Sequence, residues 1–520
     1  MNRRKLPIGI QTFSEIREGD FYYVDKTRHI VNLIDSGKYY FLSRPRRFGK
    51  SLLVDTLQEL FQGNEALFRG LYAHDKWDWS IKFPVIKLSF GGGVLKTERE
   101  LTEKLEELFR DNAQRLGLVC DYAFDDRRCF AQLIRLAHEK YGQRVVVLVD
   151  EYDKPILDNI TKSTIALGMR EGLRNVYSVI KDSDSHVKFA FLTGVSKFSK
   201  VSIFSGLNNL NDITLDRKYA TICGYTEGDL DQVFASELSG FDREEIRRWY
   251  NGYRWLGEGV YNPFDVLLLF EKQEFRPFWF ETGTPTFLID LLMERQVFAP
   301  DLGRLQTSAD LLSSFDVDAI EIEALLFQTG YLTISEHRDI PGMQQIILGY
   351  PNLEVQTSLN RWLSRALVRD NHAQNLLSIR LYELLSINDF SALRELIHAF
   401  FASIPCDWYR NNSIATYEGY YASVFYTYFA SLGMKVIPED ATDKGRIDMT
   451  VLFNNQIYIF EFKVVEDIQE GKALAQIQAR DYAAKYRARN QPIHLVGVEF
   501  SRRSRNIVGF EVARDSAGCP

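Results

Sequence analysis

The residues best suited to chemistry form one short basic loop. Its six candidate ligand residues are Arg46, Arg47, Phe48, Gly49, Lys50 and Ser51. The aromatic run at 39–43 is typical of a strand, and leucines at helical spacing follow the loop. Strand, loop ending in Gly-Lys-Ser, then helix is the layout of a P-loop, in which amides at a helix N-terminus and one lysine hold nucleotide phosphates. We therefore predict that these six residues bind ATP.

A pair of acidic residues further along the chain complements the loop. The apolar run at 145–149 ends in Asp150 and Glu151, which is the form of a Walker B strand. The terminal Asp of a buried strand lies at the carboxyl edge of its sheet, where α/β proteins bind ligands. We predict that Asp150 and Ser51 hold Mg²⁺ and that Glu151 polarises the attacking water. A core strand with a solvated acidic end and a surface lysine is the alternative.

One residue departs from the usual P-loop pattern. Arg44 occupies the position of the first glycine, whose backbone conformation resists a side chain. Pro45 fixes φ and supplies no amide, so fewer amides would face phosphate. The charges of Arg46 and Arg47 could compensate. The loop therefore favours nucleotide binding more strongly than fast hydrolysis.

A second chemical group lies near the end of the chain. The runs at 445–451 and 457–465 read as a β-hairpin that carries Asp448 on one strand and Glu461 and Lys463 on the other. Alternation along a strand puts Glu461 and Lys463 on one face, and pairing could bring Asp448 beside them. Two carboxylates there could bind Mg²⁺, and the lysine could orient water or stabilise charge on a phosphate. A structural acid–lysine pair is the alternative.

Several further polar residues are open to two interpretations. Thr193 and Ser196, after the strand at 187–194, could sense the γ-phosphate or be ordinary polar residues at a strand end. Glu418 could be a third carboxylate or a solvated side chain. Gln476 and Tyr482, on the helix after the second hairpin strand, could face that site or not.

The elements that must position these residues follow a recognisable order. Strands with near-continuous apolar character alternate with helices before residue 224, which predicts a P-loop domain with a parallel sheet covered on both faces. Residues 225–405 are mostly helical, with a lid or winged-helix-like character. Residues 406–520 are predicted to form a compact α/β module. We therefore predict an α/β chain with domains at 1–224, 225–405 and 406–520.

Composition narrows the class of protein. The chain has 520 residues, 45% of them hydrophobic and 26% charged, as in soluble globular proteins. No run of eighteen apolar residues occurs, so we expect no transmembrane helix, and no signal peptide is recognisable. Five scattered cysteines without a C-x-x-C pair fit a reducing cytoplasm. Because the net charge is −7, any nucleic-acid site must be a local basic patch. The basic clusters at 485–489 and 502–505 are candidates, and solvated basic turns are the commoner alternative.

Five short sequence motifs of the N-terminal part, taken together, are specific enough to compare with known families. They are Leu6-Pro7-Ile8-Gly9, Tyr23-Val24-Asp25-Lys26-Thr27, the run from Phe41 to Ser51, Asp150-Glu151-Tyr152-Asp153-Lys154-Pro155, and Tyr261-Asn262-Pro263-Phe264. With these stretches the N-terminal half resembles the bacterial AAA-ATPase-like family. The form Arg-Pro-Arg-Arg-Phe-Gly-Lys-Ser is that family's variant P-loop, so the resemblance implies that Arg44 is a family feature.

The C-terminal part resembles the PD-(D/E)XK nuclease superfamily, whose domains often follow this ATPase. The resemblance implies a restriction-endonuclease-like α/β fold for residues 406–520. Asp448 falls on that motif's metal-binding Asp, and Glu461 and Lys463 fall on its E-x-K. The two resemblances imply an ATP-binding protein and ATPase coupled to a Mg²⁺-dependent nuclease acting on DNA or RNA. The alternative is a nucleotide-controlled switch or interaction protein with an inactive nuclease-like scaffold. DNA versus RNA, and whether the chain forms a homo-oligomer, stay open.

Overall fold

The computed structural model describes residues 3–120, 125–198, 203–281, 286–295, 297–312, 316–317, 319–368, 371–403 and 418–515. The chain divides into two compact units. The first unit comprises Met1–Thr282 and Leu305–Asn352, and the second comprises Gly283–Arg304 and Leu353–Pro520. The three predicted domains, with boundaries after residues 224 and 405, stay a prediction.

Helices provide most of the regular structure. In chain order they are α1 (Phe13–Glu18), α2 (Thr27–Ser36), α3 (Lys50–Phe61), α4 (Glu98–Arg115), α5 (Asp126–Tyr141), α6 (Lys154–Leu157), α7 (Ser163–Asp182), α8 (Glu227–Val233), α9 (Arg243–Tyr250), α10 (Pro263–Lys272), α11 (Phe278–Glu281), α12 (Thr286–Glu294), α13 (Ala309–Leu312), α14 (Ile322–Thr329), α15 (Leu353–Val368), α16 (Asn371–Ile387), α17 (Phe390–Ser403), α18 (Glu418–Ser431) and α19 (Lys472–Ala479).

The strands form three sheets. In chain order they are β1 (Tyr39–Ser43), β2 (Val85–Ser89), β3 (Val145–Asp150), β4 (Val187–Gly194), β5 (Asn211–Asp212), β6 (Leu305–Ser308), β7 (Thr333–Ile340), β8 (Met343–Gly349), β9 (Lys435–Thr442), β10 (Gly445–Phe453), β11 (Gln456–Val465), β12 (Ile493–Ser501) and β13 (Ile507–Arg514).

The main sheet of the first unit is parallel, with strand order β2-β3-β4-β1-β5. Every residue of β1 and β3 is buried, as expected where helices cover both faces. The register aligns Ser43 with Gly194 and Ser89 with Asp150, so the carboxyl ends of the strands share one edge. The predicted α/β fold with a parallel sheet is confirmed, and β4 lies between the strand of the basic loop and the acidic strand.

A small antiparallel sheet, order β6-β8-β7, also belongs to the first unit. The helix α14 precedes β7 and ends at Thr329. Gly330 follows it with a φ of 90°, the left-handed conformation that favours glycine at a helix C-terminus. The segment containing α8–α11 is helical, as predicted for the middle of the chain. It packs an apolar core around Phe234, Tyr250 and Phe270.

The sheet of the second unit is mixed, with order β13-β12-β11-β10-β9. Only the β11–β12 pair is parallel. The alternation of β11 gives the strand two different faces. Phe460 and Phe462 pack against Phe425 of α18, whereas Ile457 and Ile459 join a core cluster with Ile477 of α19. Glu461 and Lys463 continue this second face, so charged residues extend an apolar stripe, as predicted.

Candidate functional sites

The phosphate loop (residues 44–49) joins β1 to α3. Gly49 immediately precedes the helix and has a φ of 88°, in the left-handed region that favours glycine. Lys50 is the first residue of α3, and Ser51 is the second. The loop therefore ends at a helix N-terminus, where free amides and the helix dipole favour an anion.

Arg44 does not point toward the place where phosphate would bind. Its guanidinium is buried, and Nη1 donates to the carbonyl oxygens of Ser43 at 2.8 Å and Thr214 at 3.0 Å. Nη2 donates to Tyr219 O at 3.1 Å, and the guanidinium lies 4.1 Å from the centroid of the Trp255 ring. Burial lowers the pKa of Arg44 to about 10. Arg44 therefore ties the loop to the protein behind it.

Lys50 is buried at the base of the loop. Its Nζ donates to the carbonyl oxygens of Arg44 and Pro45, each at 2.9 Å. Burial lowers the pKa of Lys50, and the negative charge of Asp150 opposes that shift. The ammonium thus lies beside the acidic strand end, and the loop's own carbonyl groups hold it in place.

The other predicted loop residues divide into exposed cations and a buried anchor. Arg46 and Arg47 are exposed, and the Arg47 guanidinium lies 4.7 Å from the centroid of the Phe264 ring in α10. The Phe48 ring is buried and packs edge-on against Tyr253, with ring centroids 4.7 Å apart. Phe48 therefore lines the site mainly as an anchor, while the two arginines remain available to a charged ligand.

The acidic pair lies at the carboxyl end of β3. Asp150 is buried and accepts a hydrogen bond from the Glu151 amide at 3.0 Å. Glu151 has a φ of 52°, a strained value for a residue with a side chain. Its carboxylate points toward Gly91, where a Cβ would lie 3.4 Å from Oε2. The strand thus supplies one buried and one half-buried carboxylate beside Lys50.

Asp153, which the sequence-based site residues did not include, organises the loop after β4. Its carboxylate accepts hydrogen bonds from the amides of Val195 and Ser196. Burial raises the pKa of Asp153 to about 6. Thr193 is fully buried and donates to Leu42 O at 2.8 Å, so its hydroxyl links β4 to β1. Ser196 Oγ is also buried and has no hydrogen-bond partner within the described segments.

These elements enclose a cavity of about 460 Å³. Its walls include the phosphate loop from Arg46 onward, Lys50, Ser51 and Glu151. Residues from the N-terminal segment and from α10 complete the lining, among them Gly9, Ile10, Gln11, Pro263, Phe264 and Leu267. The cavity is therefore charged at the loop and largely apolar at α10, which suits a ligand with a polyanionic end and a flat ring.

The second site lies on β10 and β11 of the second unit. Met449 pairs with Phe460 across the two strands, which places Asp448 next to Glu461. Asp448 Oδ2 accepts the Phe462 amide at 2.7 Å. Lys463 Nζ lies 3.2 Å from Glu461 Oε1. The structure therefore brings together the three residues that the sequence grouped.

Glu461 is the most unusual residue of this site. It is fully buried, and burial followed by the charge of Asp448 raises its pKa to about 7. Gln476 of α19 donates to Oε1, whereas Oε2 is buried without a hydrogen-bond partner in the part of the chain described. An unpaired buried carboxylate oxygen is costly, and a divalent cation is a suitable partner for it.

Comparison with known proteins gives the chain a family. A family model described as "Predicted AAA-ATPase" matches residues 7–204, and the PD-(D/E)XK nuclease superfamily model matches residues 416–510. A protein of Azotobacter chroococcum mcd 1, described as "Uncharacterized protein in vnfD 5'region", is 61% identical over 98% of this chain and 99% of its own length. The chain belongs to the AAA-ATPase-like family. No solved structure matches it.

The AAA-ATPase-like chain uses most of its C-terminal basic residues in local ion pairs. Lys485 contacts Asp440, and Arg487 contacts Asp481 and Asp515. Two further basic residues, Arg502 and Arg503, contact Glu466 and Asp467 respectively. Much of the charge of the two candidate basic patches is therefore offset locally.

The remaining sequence-based candidates fall into three groups. Gln476 of this AAA-ATPase-like protein contacts the Asp448–Glu461 site, but Tyr482 is buried in the apolar cluster beneath α19. The side chain of Glu418, at the start of α18, lies outside the described residues.

Within the described segments, no group of three or more His, Cys, Asp or Glu side chains forms a metal site. Among the described helices, none combines the length and the apolar character needed to cross a membrane.

Proposed function

We propose that the protein binds and hydrolyses ATP in its first unit and hydrolyses phosphodiester bonds of DNA or RNA in its second. Mg²⁺ serves both sites. The observation that carries the nuclease half is Glu461, whose buried Oε2 lacks a partner in the described structure beside Asp448 and Lys463. The half that concerns ATP is supported by the helix N-terminus, Lys50 and the acidic strand end around one cavity.

At the ATP site, each residue type fits a part of the nucleotide. The amides that begin α3 and the Lys50 ammonium suit the β- and γ-phosphates. Ser51 and Asp150 offer the oxygen ligands that Mg²⁺ prefers, and Glu151 can accept a proton from water. Arg46 and Arg47 add exposed positive charge, and the apolar wall at α10 suits the base.

At the nuclease site, Asp448 and Glu461 would hold Mg²⁺, which in proteins commonly takes one or two carboxylates and completes its shell with water and phosphate oxygens. When bound, the ion supplies a Lewis acid for the phosphate and a more acidic water. Lys463 places a positive charge where negative charge develops on the phosphate. Water would add to phosphorus, the P–O bond to one sugar would break, and the proton lost by the water would end on the oxygen of the leaving sugar.

The test is cleavage of plasmid DNA and of RNA with Mg²⁺, with and without ATP, using the full-length protein. We expect cleavage by the wild type, its loss in Lys463→Ala, and its retention in Lys444→Ala. Lys444 is a matched control because it is a half-exposed lysine in the turn before β10. Lys50→Ala reports whether ATP controls the nuclease.

Equal residual cleavage by wild type and Lys463→Ala would reject the nuclease half. The second candidate function, a nucleotide-controlled switch on an inactive scaffold, is favoured by one contact. Lys463 and Glu461 already form an ion pair with each other, as they would if their role were purely structural. ATP binding without any cleavage would support that switch.

A further inference from the structure

The helix beside the nuclease site is held by a single carboxylate from the neighbouring strand. Glu499 of β12 is only 1% exposed. Its Oε2 accepts the amides of Glu470 and Gly471, and its Oε1 accepts the amides of Lys472 and Ala473. These amides lead into and begin α19, where a helix has no backbone partners of its own. One buried side chain therefore satisfies the N-terminus of α19 with charge-assisted hydrogen bonds.

Gly497 of the same strand, β12, allows the backbone of α19 to approach the strand closely. A Cβ added to Gly497 would lie 2.4 Å from the Leu474 amide nitrogen and 2.9 Å from Leu474 Cα. Because these are backbone atoms, no side-chain rotation could relieve the contact. The first turn of α19 therefore rests on bare backbone of β12, and only glycine fits beneath it.

The two strands match residue by residue at this point. In the parallel register, Glu461 of β11 pairs with Gly497 of β12, and Lys463 pairs with Glu499. The residues that fix the helix thus stand beside the residues that form the site. One turn along α19, Gln476 donates its side-chain amide to Glu461 Oε1.

We infer that Glu499 and Gly497 are positioning residues, which fix α19 so that Gln476 holds Oε1 of Glu461 and leaves Oε2 free for a divalent cation. The inference rests on the proposed metal site at Asp448 and Glu461. Neither positioning residue touches the cation. A helix cap that merely stabilised the fold would not need to act through Gln476, and that difference can be measured.

The experiment measures Mn²⁺ binding to the full-length protein without nucleotide, by electron paramagnetic resonance. The site is defined as the binding lost in Asp448→Asn. We expect Glu499→Gln and Gln476→Ala each to weaken this binding by roughly 10-fold, the scale of losses at residues that orient metal ligands. The double variant should be no weaker than the weaker single variant, because both changes break the same chain of contacts.

Two controls accompany these variants. Glu466→Gln removes an exposed carboxylate of the same unit that pairs with Arg502, and it should leave Mn²⁺ binding unchanged. Glu499→Asp keeps the charge but shortens the reach, and it should bind Mn²⁺ with intermediate affinity. If Glu499→Gln does not fold, Glu499→Asp replaces it in the test. Added to Gln476→Ala, Glu499→Asp should cause no further loss of Mn²⁺ affinity.

Three results would overturn the inference. They are unchanged Mn²⁺ affinity in folded Glu499→Gln, losses that add fully in the double variant, and a wild type with no Mn²⁺ site that depends on Asp448. Cleavage is measured separately. A wild type that binds Mn²⁺ and shows the non-additive losses but cleaves no nucleic acid would contradict the proposed nuclease function alone.

Discussion

Lys50 Nζ lies 2.9 Å from the carbonyl oxygen of Arg44, and the Arg44 side chain is itself buried behind the loop. Lys50 and Arg44 therefore have different roles. In the proposed ATP complex, Lys50 would exchange its carbonyl partners for phosphate oxygens, whereas the buried Arg44 side chain would stay on its own carbonyl partners. This relationship leads to the first two predictions.

Replacing Lys50 with alanine should weaken ATP binding by roughly 10- to 100-fold, because a hydrogen bond to a charged group is worth about 1.5–3 kcal/mol. Isothermal titration calorimetry with ATP·Mg²⁺ on the full-length protein gives the measurement. Lys76→Ala is the control, since Lys76 is an exposed lysine of the first unit that is not part of the cavity wall. Equal ATP affinity in wild type and Lys50→Ala would reject the predicted phosphate site.

Replacing Arg44 and Arg46 with methionine should have contrasting effects. Arg44→Met leaves three carbonyl oxygens without their buried donor, so the free energy of unfolding should fall by on the order of 3 kcal/mol. Arg46→Met changes an exposed side chain and should alter stability by less than about 0.5 kcal/mol, while weakening ATP binding. Urea unfolding and ATP titration of both variants test this. A stable Arg44→Met that had lost ATP affinity would contradict the structural role.

Gly330 should be less tolerant of a side chain than Gly342. Both have φ near 90°, so alanine is strained at either position. A Cβ on Gly330 would lie 2.8 Å from Pro45 of the phosphate loop, whereas one on Gly342 meets no described atom within 4 Å. Gly330→Ala should therefore cost about 1–3 kcal/mol more than Gly342→Ala in thermal unfolding and should also lower ATP affinity. Equal losses of stability in the two variants would contradict the prediction, because they would show that Pro45 moves aside at no cost.

Acid should destabilise the first unit through His29. Burial, reinforced by the charge of Lys26, lowers the pKa of His29 to about 4. The unfolded chain then binds a proton that the folded chain excludes between about pH 4 and pH 6.5, so His29 makes the free energy of unfolding rise with pH across that window. The full effect is up to roughly 3 kcal/mol.

Urea unfolding at pH 4.5, 5.5 and 7 measures the effect. In His29→Gln the dependence of stability on pH should be flatter between pH 4.5 and 6.5 than in the wild type. His337→Gln, which changes an exposed histidine of β7, should keep the wild-type slope. Parallel slopes in wild type and His29→Gln would exclude the histidine as the cause.

Local patterns were enough to predict the parallel sheet, the helix that begins at Lys50, and the hairpin that joins Asp448 to Glu461. Each depends on alternation or spacing within a short run. The direction of the Arg44 side chain was not predictable, because Thr214, Tyr219 and Trp255 hold it from distant parts of the chain. The same holds for Glu499, whose partners precede it by 26 to 29 positions.

The order of the two units along the chain limits how the protein can be dissected. The chain leaves the first unit at Thr282, returns at Leu305 and leaves again at Asn352, so no single cut separates the units. A fragment starting at residue 406 would lack α15, whose Leu353 lies against Gly433 after α18. It would therefore expose apolar surface and aggregate more readily than the intact protein. A soluble fragment of the second unit should begin before α15, and it would be complete only if residues 283–304 were co-expressed with it.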